Sequence, residues 1–168
     1  MTARLMLVMA ACLLAQAARA DEHPAADAAD QMEHPAAGAS AKWCPLKDAG
    51  GSKAEMARIR KEYVAAVRAY VKTKAPFTVH DDKLGKDWTL KLVRVHQDRI
   101  MQLGDNQFFA CSDFKSARKG GKDALDLDFF ASKNPDGAWK IDKVLIHKVN
   151  GKPRYTWNAK NEMVPVKD

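Results

Sequence analysis

The fold is decided by residues 52–73, which read SKAEMARIRKEYVAAVRAYVKT. Ser52 followed by Glu55 is the capping-box pattern that opens a helix. Apolar residues then recur at steps of three and four, on a face opposite to the lysines and arginines; they are Met56, Ile59, Tyr63, Val67, Tyr70 and Val71. Pro76 ends the pattern. The stretch therefore predicts one amphipathic helix over about residues 53–73.

The sequence after this helix predicts a succession of strands that are separated by turns. Asn134–Gly137 and Asn150-Gly151 are strong turn sequences, and the second favours a two-residue hairpin. The strand-like segments are Phe77–His80, Trp88–His96, Arg99–Leu103, Gln107–Lys115, Leu125–Ala131, Trp139–Val149 and Arg154–Trp157. These patterns predict an α+β fold in which one long N-terminal helix packs on a curved antiparallel sheet of about five to six strands. The order of elements is similar to cystatin-like and NTF2-like folds, a likeness that implies no function.

Polar side chains recur along the predicted strands and form a candidate pocket. They are His96, Cys111, Asp113, Asp126, Asp128 and His147. If Asn134–Gly137 is a four-residue loop, Asp128 faces Lys143 and Asp126 faces Leu145. One interpretation is a half-polar sheet face that binds a ligand. The alternative is an exposed Asp128–Lys143 pair, which contributes less than about 1 kcal/mol.

A catalytic interpretation of the same residues stays open. A carboxylate can tune the pKa of a histidine to near neutrality, so His147 with Asp126 or Asp128 suits acid–base chemistry in a small hydrolase or isomerase. The sequence has no nucleophile elbow, phosphate-binding loop or zinc-protease helix motif. A non-enzymatic binding or accessory domain is therefore the favoured interpretation, and the enzyme is the alternative.

The first twenty residues have the pattern of a secretory signal peptide. Arg4 precedes the apolar run Leu5–Leu14, which is too short to span a bilayer, and Ala18 and Ala20 supply the small residues of a cleavage site. We therefore expect an exported protein, periplasmic or secreted, with no transmembrane segment after cleavage. Cys12 in the run Met-Ala-Ala-Cys is the weaker alternative of a lipoprotein site.

Residues 21–42 predict a disordered tail rich in acidic residues, alanine, proline and histidine. Signal cleavage would begin the mature chain with Asp21-Glu22-His23. A terminal amine, two amides and a histidine in third position form the square-planar nitrogen set that Cu(II) and Ni(II) prefer. His34 lies in a second Glu-His-Pro motif and adds another imidazole. The predicted cofactor is therefore Cu or Ni at the mature N-terminus, and the sequence indicates no other.

Two cysteines remain in the mature chain, Cys44 at the start of the body and Cys111 on a central strand. In an oxidising compartment a disulfide is the default for two such thiols, so we predict a Cys44–Cys111 pair. If the thiols are free, Cys111 is expected to be a buried small apolar residue or a soft metal ligand beside His96 or a methionine. The body, residues 43–160, is predicted to be a single α+β domain followed by a C-terminal tail over 161–168.

The charge of the chain is uneven. Without residues 1–20, 26 basic and 21 acidic residues remain, and residues 21–40 hold five of the acids and no Lys or Arg. Residues 41–168 therefore carry a net charge of +10. A basic body predicts an anionic partner, such as an anionic surface, a glycan or an acidic protein, or else a solvated Lys-rich surface. Nucleic acid is not an expected partner of an exported protein.

Four segments of the body have distinctive amino-acid sequences. They are VHQDR at 95–99, FACSDFK at 109–115, LDLDF at 125–129 and HKVNGKPRYTW at 147–157. These segments resemble a family of small exported bacterial proteins of unassigned function, whose members carry Glu-His-Pro repeats near the N-terminus. This chain has the same motif at 22–24 and 33–35. The resemblance implies export, and it carries over no catalytic residue.

Overall fold

The computed structural model describes residues 43–167. The predicted signal peptide and the whole predicted tail of residues 21–42 lie outside the described residues. So do the predicted metal ligands Asp21, Glu22, His23 and His34, and these assignments therefore stay predictions. Between residues 43 and 167, no helix is both long enough and apolar enough to cross a membrane.

One α-helix, α1 (Lys53–Thr73), confirms the helix predicted from the periodicity. The side-chain oxygen of Ser52 accepts a 3.1 Å hydrogen bond from the backbone N–H of Glu55. This is the bond that the capping-box pattern requires, because the first N–H groups of a helix have no partner within the helix. A two-residue strand and a short 3-10 turn come before α1. The prediction of an N-terminal helix is corrected accordingly.

The other elements are strands, which form an eight-stranded sheet and a separate two-stranded sheet. They are β1 (Cys44–Pro45), β2 (Thr78–Asp81), β3 (Lys86–Val95), β4 (Met101–Gln102), β5 (Gln107–Ser116), β6 (Ala124–Lys133), β7 (Trp139–Val149), β8 (Lys152–Pro153), β9 (Tyr155–Trp157) and β10 (Met163–Pro165). In the larger sheet, β5 pairs on one edge with β3 and β4 and on the other edge with β6, which pairs with β7. All these pairs are antiparallel, so the α+β prediction is confirmed. The predicted strand number is too low, because two-residue edge strands show no alternating pattern.

The central strands present two different faces, because successive side chains of a strand point to opposite sides of the sheet. The helix face packs against Tyr63 and Val67 of α1 and holds the main core, which includes Phe114, Leu125, Leu127 and Phe129. The opposite side, called here the outer face, has a smaller apolar cluster built on Leu103, Phe109 and Phe130. Trp43 and Trp157 pack against this smaller cluster. The outer face is therefore only partly covered, and polar residues lie beside its apolar cluster.

Polar contacts attach α1 to the sheet. The Tyr63 hydroxyl donates a 2.7 Å hydrogen bond to the backbone carbonyl of Phe129. Glu62 accepts hydrogen bonds from the Lys133 ammonium at 2.7 Å and from the indole N–H of Trp139 at 3.1 Å. Directional bonds of this kind fix the position of the helix along the strands, whereas apolar packing alone is not directional.

The chain turns back after β7 and continues as a C-terminal segment over the outer face. Asn150 and Gly151 have φ angles of 51° and 78°, as a two-residue type I′ hairpin requires, which confirms that predicted turn. The hairpin with β7 is limited to β8, and β9 pairs with β10 instead. Residues 161–167, predicted to be a tail, therefore include a strand.

A buried ion pair holds this segment to the edge of the sheet. The Arg154 guanidinium donates a 2.9 Å hydrogen bond to Oδ2 of Asp81. The indole N–H of Trp88 donates to the same oxygen at 3.0 Å, and the backbone N–H of Leu84 donates to Oδ1 at 3.3 Å. Asp81 is only 3% exposed, and these three donors offset the cost of burying its charge.

Candidate functional site

Three polar side chains meet on the outer face where β5, β6 and β7 lie side by side. Cys111 of β5 is the register partner of Asp128 of β6, and His147 comes from β7. The Cys111 sulfur, a carboxylate oxygen of Asp128 and a ring nitrogen of His147 all lie within 4.8 Å of one another. We call these three residues the outer-face cluster. The structure thus brings together three of the six predicted pocket residues.

A β-bulge places His147 in the cluster. Asp126 pairs with Lys148, and the next residue, Leu127, pairs with Ile146. His147 is therefore the extra residue on β7 and has no register partner. A bulge redirects the side chain of the extra residue and increases the local twist. In the predicted register His147 would lie opposite Ala124, four residues from Asp128 along β6 and too far away to join the cluster.

The predicted pairing of Asp128 is wrong by two residues, because Asp128 faces Leu145 and not Lys143. The loop after Lys133 is one residue longer than predicted, since Lys133 pairs with Trp139. A further bulge between that loop and Asp128 adds the second residue. The exposed ion pair between Asp128 and Lys143, which was the alternative to a pocket, is therefore not the arrangement found.

Asp128 is the buried centre of the cluster, with an exposed fraction of 1%. Its Oδ2 accepts a 2.7 Å hydrogen bond from the Tyr155 hydroxyl. Its Oδ1 has no hydrogen-bond partner among the described residues. Nδ1 of His147 is 3.6 Å from that oxygen, which is too far for a hydrogen bond. A buried carboxylate oxygen without a partner is costly, so Oδ1 marks a position where a ligand would be stabilising.

Cys111 completes the cluster as a half-buried thiol. Its Sγ lies 3.7 Å from Nδ1 of His147. Burial raises the pKa of the Cys111 thiol, and the negative charge of the neighbouring Asp128 raises it further. A thiol with a raised pKa is a weak nucleophile at neutral pH, because the thiolate is the reactive form.

The predicted Cys44–Cys111 disulfide is wrong, because both cysteines are free. Cys44 pairs with Gln102, and Gln102 pairs with Phe108 of β5. Two strand spacings, or about 10 Å, therefore separate Cys44 from the strand that carries Cys111. A disulfide needs Cα atoms within about 7 Å of each other. The interpretation of Cys111 as a metal ligand stays a prediction, but the imidazole beside its sulfur is that of His147, whereas His96 contacts Asp113.

The other three predicted pocket residues are paired with other side chains. Nε2 of His96 is 2.7 Å from Oδ1 of Asp113, and Arg94 donates to Oδ2 of the same carboxylate at 2.9 Å. Asp126 pairs with Lys148 at 3.3 Å. These groups are partly exposed, so the pairs contribute little to stability. Their partners already satisfy them, and the outer-face cluster is left as the candidate site.

Tyr155 belongs to the site although it was not among the predicted site residues. Its ring stacks on His147 with centroids 5.0 Å apart, and its hydroxyl holds Asp128. The turn sequence at 150–151 could have predicted this proximity, because a two-residue hairpin places Arg154 opposite His147. The backbone N–H of Arg154 does donate to the carbonyl of His147 at 2.7 Å. Tyr155 is the next residue along.

A scan against protein-family models, a search of the curated proteins and a search of the solved structures each found no match to this chain. The resemblance to a family of small exported proteins therefore stays a prediction.

Proposed function

We propose that the protein is an exported, non-enzymatic binding or accessory domain whose ligand site is the outer-face cluster. The observation that carries this proposal is Oδ1 of Asp128, a buried carboxylate oxygen with no hydrogen-bond partner among residues 43–167. His147 beside it has a side chain that is 20% exposed, so a ligand can reach the cluster from solvent. A buried, unsatisfied acceptor next to an accessible imidazole is typical of a binding site.

The geometry favours binding over catalysis. A nucleophile–histidine–carboxylate relay uses both ring nitrogens, one for the nucleophile and the other for the carboxylate. Here the same atom, Nδ1 of His147, faces both the Cys111 sulfur at 3.7 Å and Oδ1 of Asp128 at 3.6 Å. The arrangement therefore lacks the geometry of such a relay. The alternative of a small hydrolase or isomerase on this sheet gains no support from the contacts of these residues.

An anionic partner is part of the proposal, whether an anionic surface, a glycan or an acidic protein. A cleft of about 370 Å³ lies between α1 and residues 93–99. Arg68, Arg94 and Arg99 line it together with Asp98, and Arg94 is also paired with Asp113, so one net positive charge remains. This excess of positive charge attracts anions and steers their approach. It adds to the net charge of +10 on residues 41–168.

The predicted tail adds a second binding function to the proposal. Mature protein beginning at Asp21 is expected to bind one Cu(II) or Ni(II) through its terminal amine, two amides and His23. Cu(II) titration of mature protein should show tight binding at this site, and the same titration of His23→Ala or of protein retaining Ala20 should not. Equal binding by all three would exclude the tail site.

A finer description of the fold is also a proposal. The packing of a single long helix on one face of an antiparallel sheet supports a cystatin-like or NTF2-like arrangement. An experimental structure with the strand order and curvature of either fold would support this description, and a different connectivity would exclude it.

The binding function is tested by thermal unfolding of the full chain with a ligand panel of divalent metal ions, haem and anionic glycans. A ligand at 100 times its Kd stabilises the folded state by about 2.7 kcal/mol, which raises Tm by several degrees. We expect at least one panel member to raise Tm in the wild type and in the control His80→Gln, and not in Asp128→Asn. No shift with any ligand, or equal shifts in Asp128→Asn, would contradict the proposal.

A further inference from the structure

We infer that Cys111, Asp128 and His147 bind one divalent metal ion of the Zn(II) class, through Sγ, Oδ1 and Nδ1. This inference rests on the proposed binding function, because it names the ligand of the same cluster. It concerns the folded sheet and is independent of the predicted Cu(II) or Ni(II) site in the tail.

The distances from Nδ1 of His147 to the other two donor atoms are close to those around a tetrahedral ion. Zn(II) with bonds of about 2.3 Å to sulfur and about 2.0 Å to nitrogen and oxygen holds S and N about 3.5 Å apart and N and O about 3.3 Å apart. The Cys111 sulfur and Nδ1 of His147 are 3.7 Å apart, and Nδ1 and Oδ1 of Asp128 are 3.6 Å apart. The two sides of the triangle that meet at Nδ1 therefore need to contract by only a few tenths of an ångström. The third side, from the Cys111 sulfur to a carboxylate oxygen of Asp128, is within 4.8 Å.

The types of donor atom and the total charge of the ligands also suit a Zn(II) ion. Zn(II) is bound by cysteine sulfur, histidine nitrogen and aspartate oxygen, and a coordinated thiol releases its proton to solvent. With Cys111 as thiolate, His147 neutral and Asp128 ionised, the three ligands carry two negative charges. A divalent ion neutralises them, which matters because Asp128 is 1% exposed and an unbalanced buried charge is costly.

Tyr155 supplies the support that metal sites normally have around their ligands. Its hydroxyl donates a 2.7 Å hydrogen bond to Oδ2 of Asp128, and Oδ1 of the same carboxylate stays available to an ion. Its ring stacks on the imidazole of His147 with an interplanar angle of 25°, which limits the ring's rotation. Groups that orient metal ligands in this way typically change metal affinity by about 10- to 100-fold when they are removed.

Three protein ligands leave the fourth tetrahedral position of the ion for water or for a donor atom of another molecule. Cys111 and His147 are only half-buried, so that position can be reached from solvent. An ion held in this way can bind an anionic group of a partner directly. The basic character of the surrounding body favours such a group.

Co(II) is the probe for the test, because it substitutes for Zn(II) and reports thiolate ligation by a charge-transfer absorption band. The full chain carries His23→Ala and His34→Ala, which remove the histidines of the predicted tail. We expect one Co(II) per chain, displaced by Zn(II), with a thiolate band and the intense visible bands of a four-coordinate ion. The same protein also carries Cys12→Ser, which leaves Cys44 and Cys111 as its only cysteines, so the thiolate band reports on these two alone.

The matched cysteine controls decide the site. Cys111→Ser should abolish the thiolate band, and Cys44→Ser should leave it unchanged. Asp128→Asn should weaken Co(II) binding by at least about 10-fold, and Tyr155→Phe should weaken it by about 10- to 100-fold while the thiolate band persists. Loss of the band in Cys44→Ser, or no thiolate band in the wild type, would overturn the inference. If another ligand of the panel still stabilises the wild type in an Asp128-dependent way, the binding function survives and the metal assignment does not.

Discussion

The Tyr155 hydroxyl donates a 2.7 Å hydrogen bond to Oδ2 of Asp128 and so joins the C-terminal segment to a central strand of the sheet. Both residues are buried, at 5% and 1% exposure. The bond satisfies one oxygen of the carboxylate and leaves the other facing the outer-face cluster. One hydrogen bond therefore both anchors the segment and prepares the candidate site.

Tyr155→Phe is expected to destabilise the protein by about 1–3 kcal/mol, because a hydrogen bond to a buried charged group is lost while the ring and its packing remain. The measurement is the urea midpoint of unfolding, with an unchanged m-value. Tyr70→Phe is the matched control, since no described residue forms a hydrogen bond with the Tyr70 hydroxyl. Equal midpoints for Tyr155→Phe and wild type would show that the bond does not contribute to stability.

Tyr63→Phe tests the attachment of α1 to the sheet. The Tyr63 hydroxyl donates to the carbonyl of Phe129 at 2.7 Å from a fully buried position, and burial raises the pKa of this hydroxyl. We expect a loss of about 1–2 kcal/mol, because an isosteric phenyl ring preserves the packing and removes only the bond. Denaturant unfolding against the same Tyr70→Phe control measures it, and a loss no larger than that of the control would contradict the prediction.

Asp81→Asn tests the buried ion pair that holds the C-terminal segment. Removal of one partner of a buried pair leaves the other charge uncompensated and costs about 3–5 kcal/mol. We expect a value near the lower end of that range, because the Arg154 side chain is 17% exposed. In a double-mutant cycle, Asp81→Asn combined with Arg154→Met should cost less than the sum of the two single variants. Additive effects would show that the two residues are not coupled.

Glu62 makes stability depend on pH. Hydrogen bonds from Lys133 and then Trp139 lower the pKa of Glu62 below its usual 4.5, against the opposing effect of burial. A carboxyl group whose pKa is lower in the folded state contributes stability above its unfolded pKa and loses it as the pH falls through the folded value. The contribution is small, because the side chain is one-third exposed and solvent screens it.

The stability difference between wild type and Glu62→Gln should therefore shrink as the pH falls from about 6 to about 3. Denaturant unfolding over that pH range measures it. Lys133→Met removes the main cause of the lowered pKa and should flatten the same dependence. A difference that stays constant with pH would show that the carboxylate charge of Glu62 does not contribute.

Much of the local structure could be read from the sequence because its causes are local. The capping pattern at Ser52 and the apolar periodicity specify α1 within the helix's own residues. The same holds for the turn at Asn150-Gly151, where the left-handed φ angles suit these residue types. The long strands β3, β5, β6 and β7 were likewise visible from their alternating residues.

The sequence predicts the candidate site only as a set of residues and does not predict the geometry of that set. The sequence pattern puts Cys111, Asp128 and His147 in one set with three other polar residues, His96, Asp113 and Asp126. Their spacing along the sequence does not distinguish the three residues of the outer-face cluster from the three that are paired elsewhere. Which of the six residues join the cluster depends on the side chains that the neighbouring strands place opposite each one.

By itself, therefore, the sequence determined the helix, the long strands and the type I′ turn, because each depends on interactions among residues close along the chain. The tertiary structure alone decided the register of β6 on β7 and with it the position of His147. Two bulges and a longer loop shift that register, and whether an extra residue is accommodated depends on packing across both faces of the sheet. It also decided that Cys44 and Cys111 stay apart, because the pairing of β1 with β4 leaves a strand between Cys44 and β5.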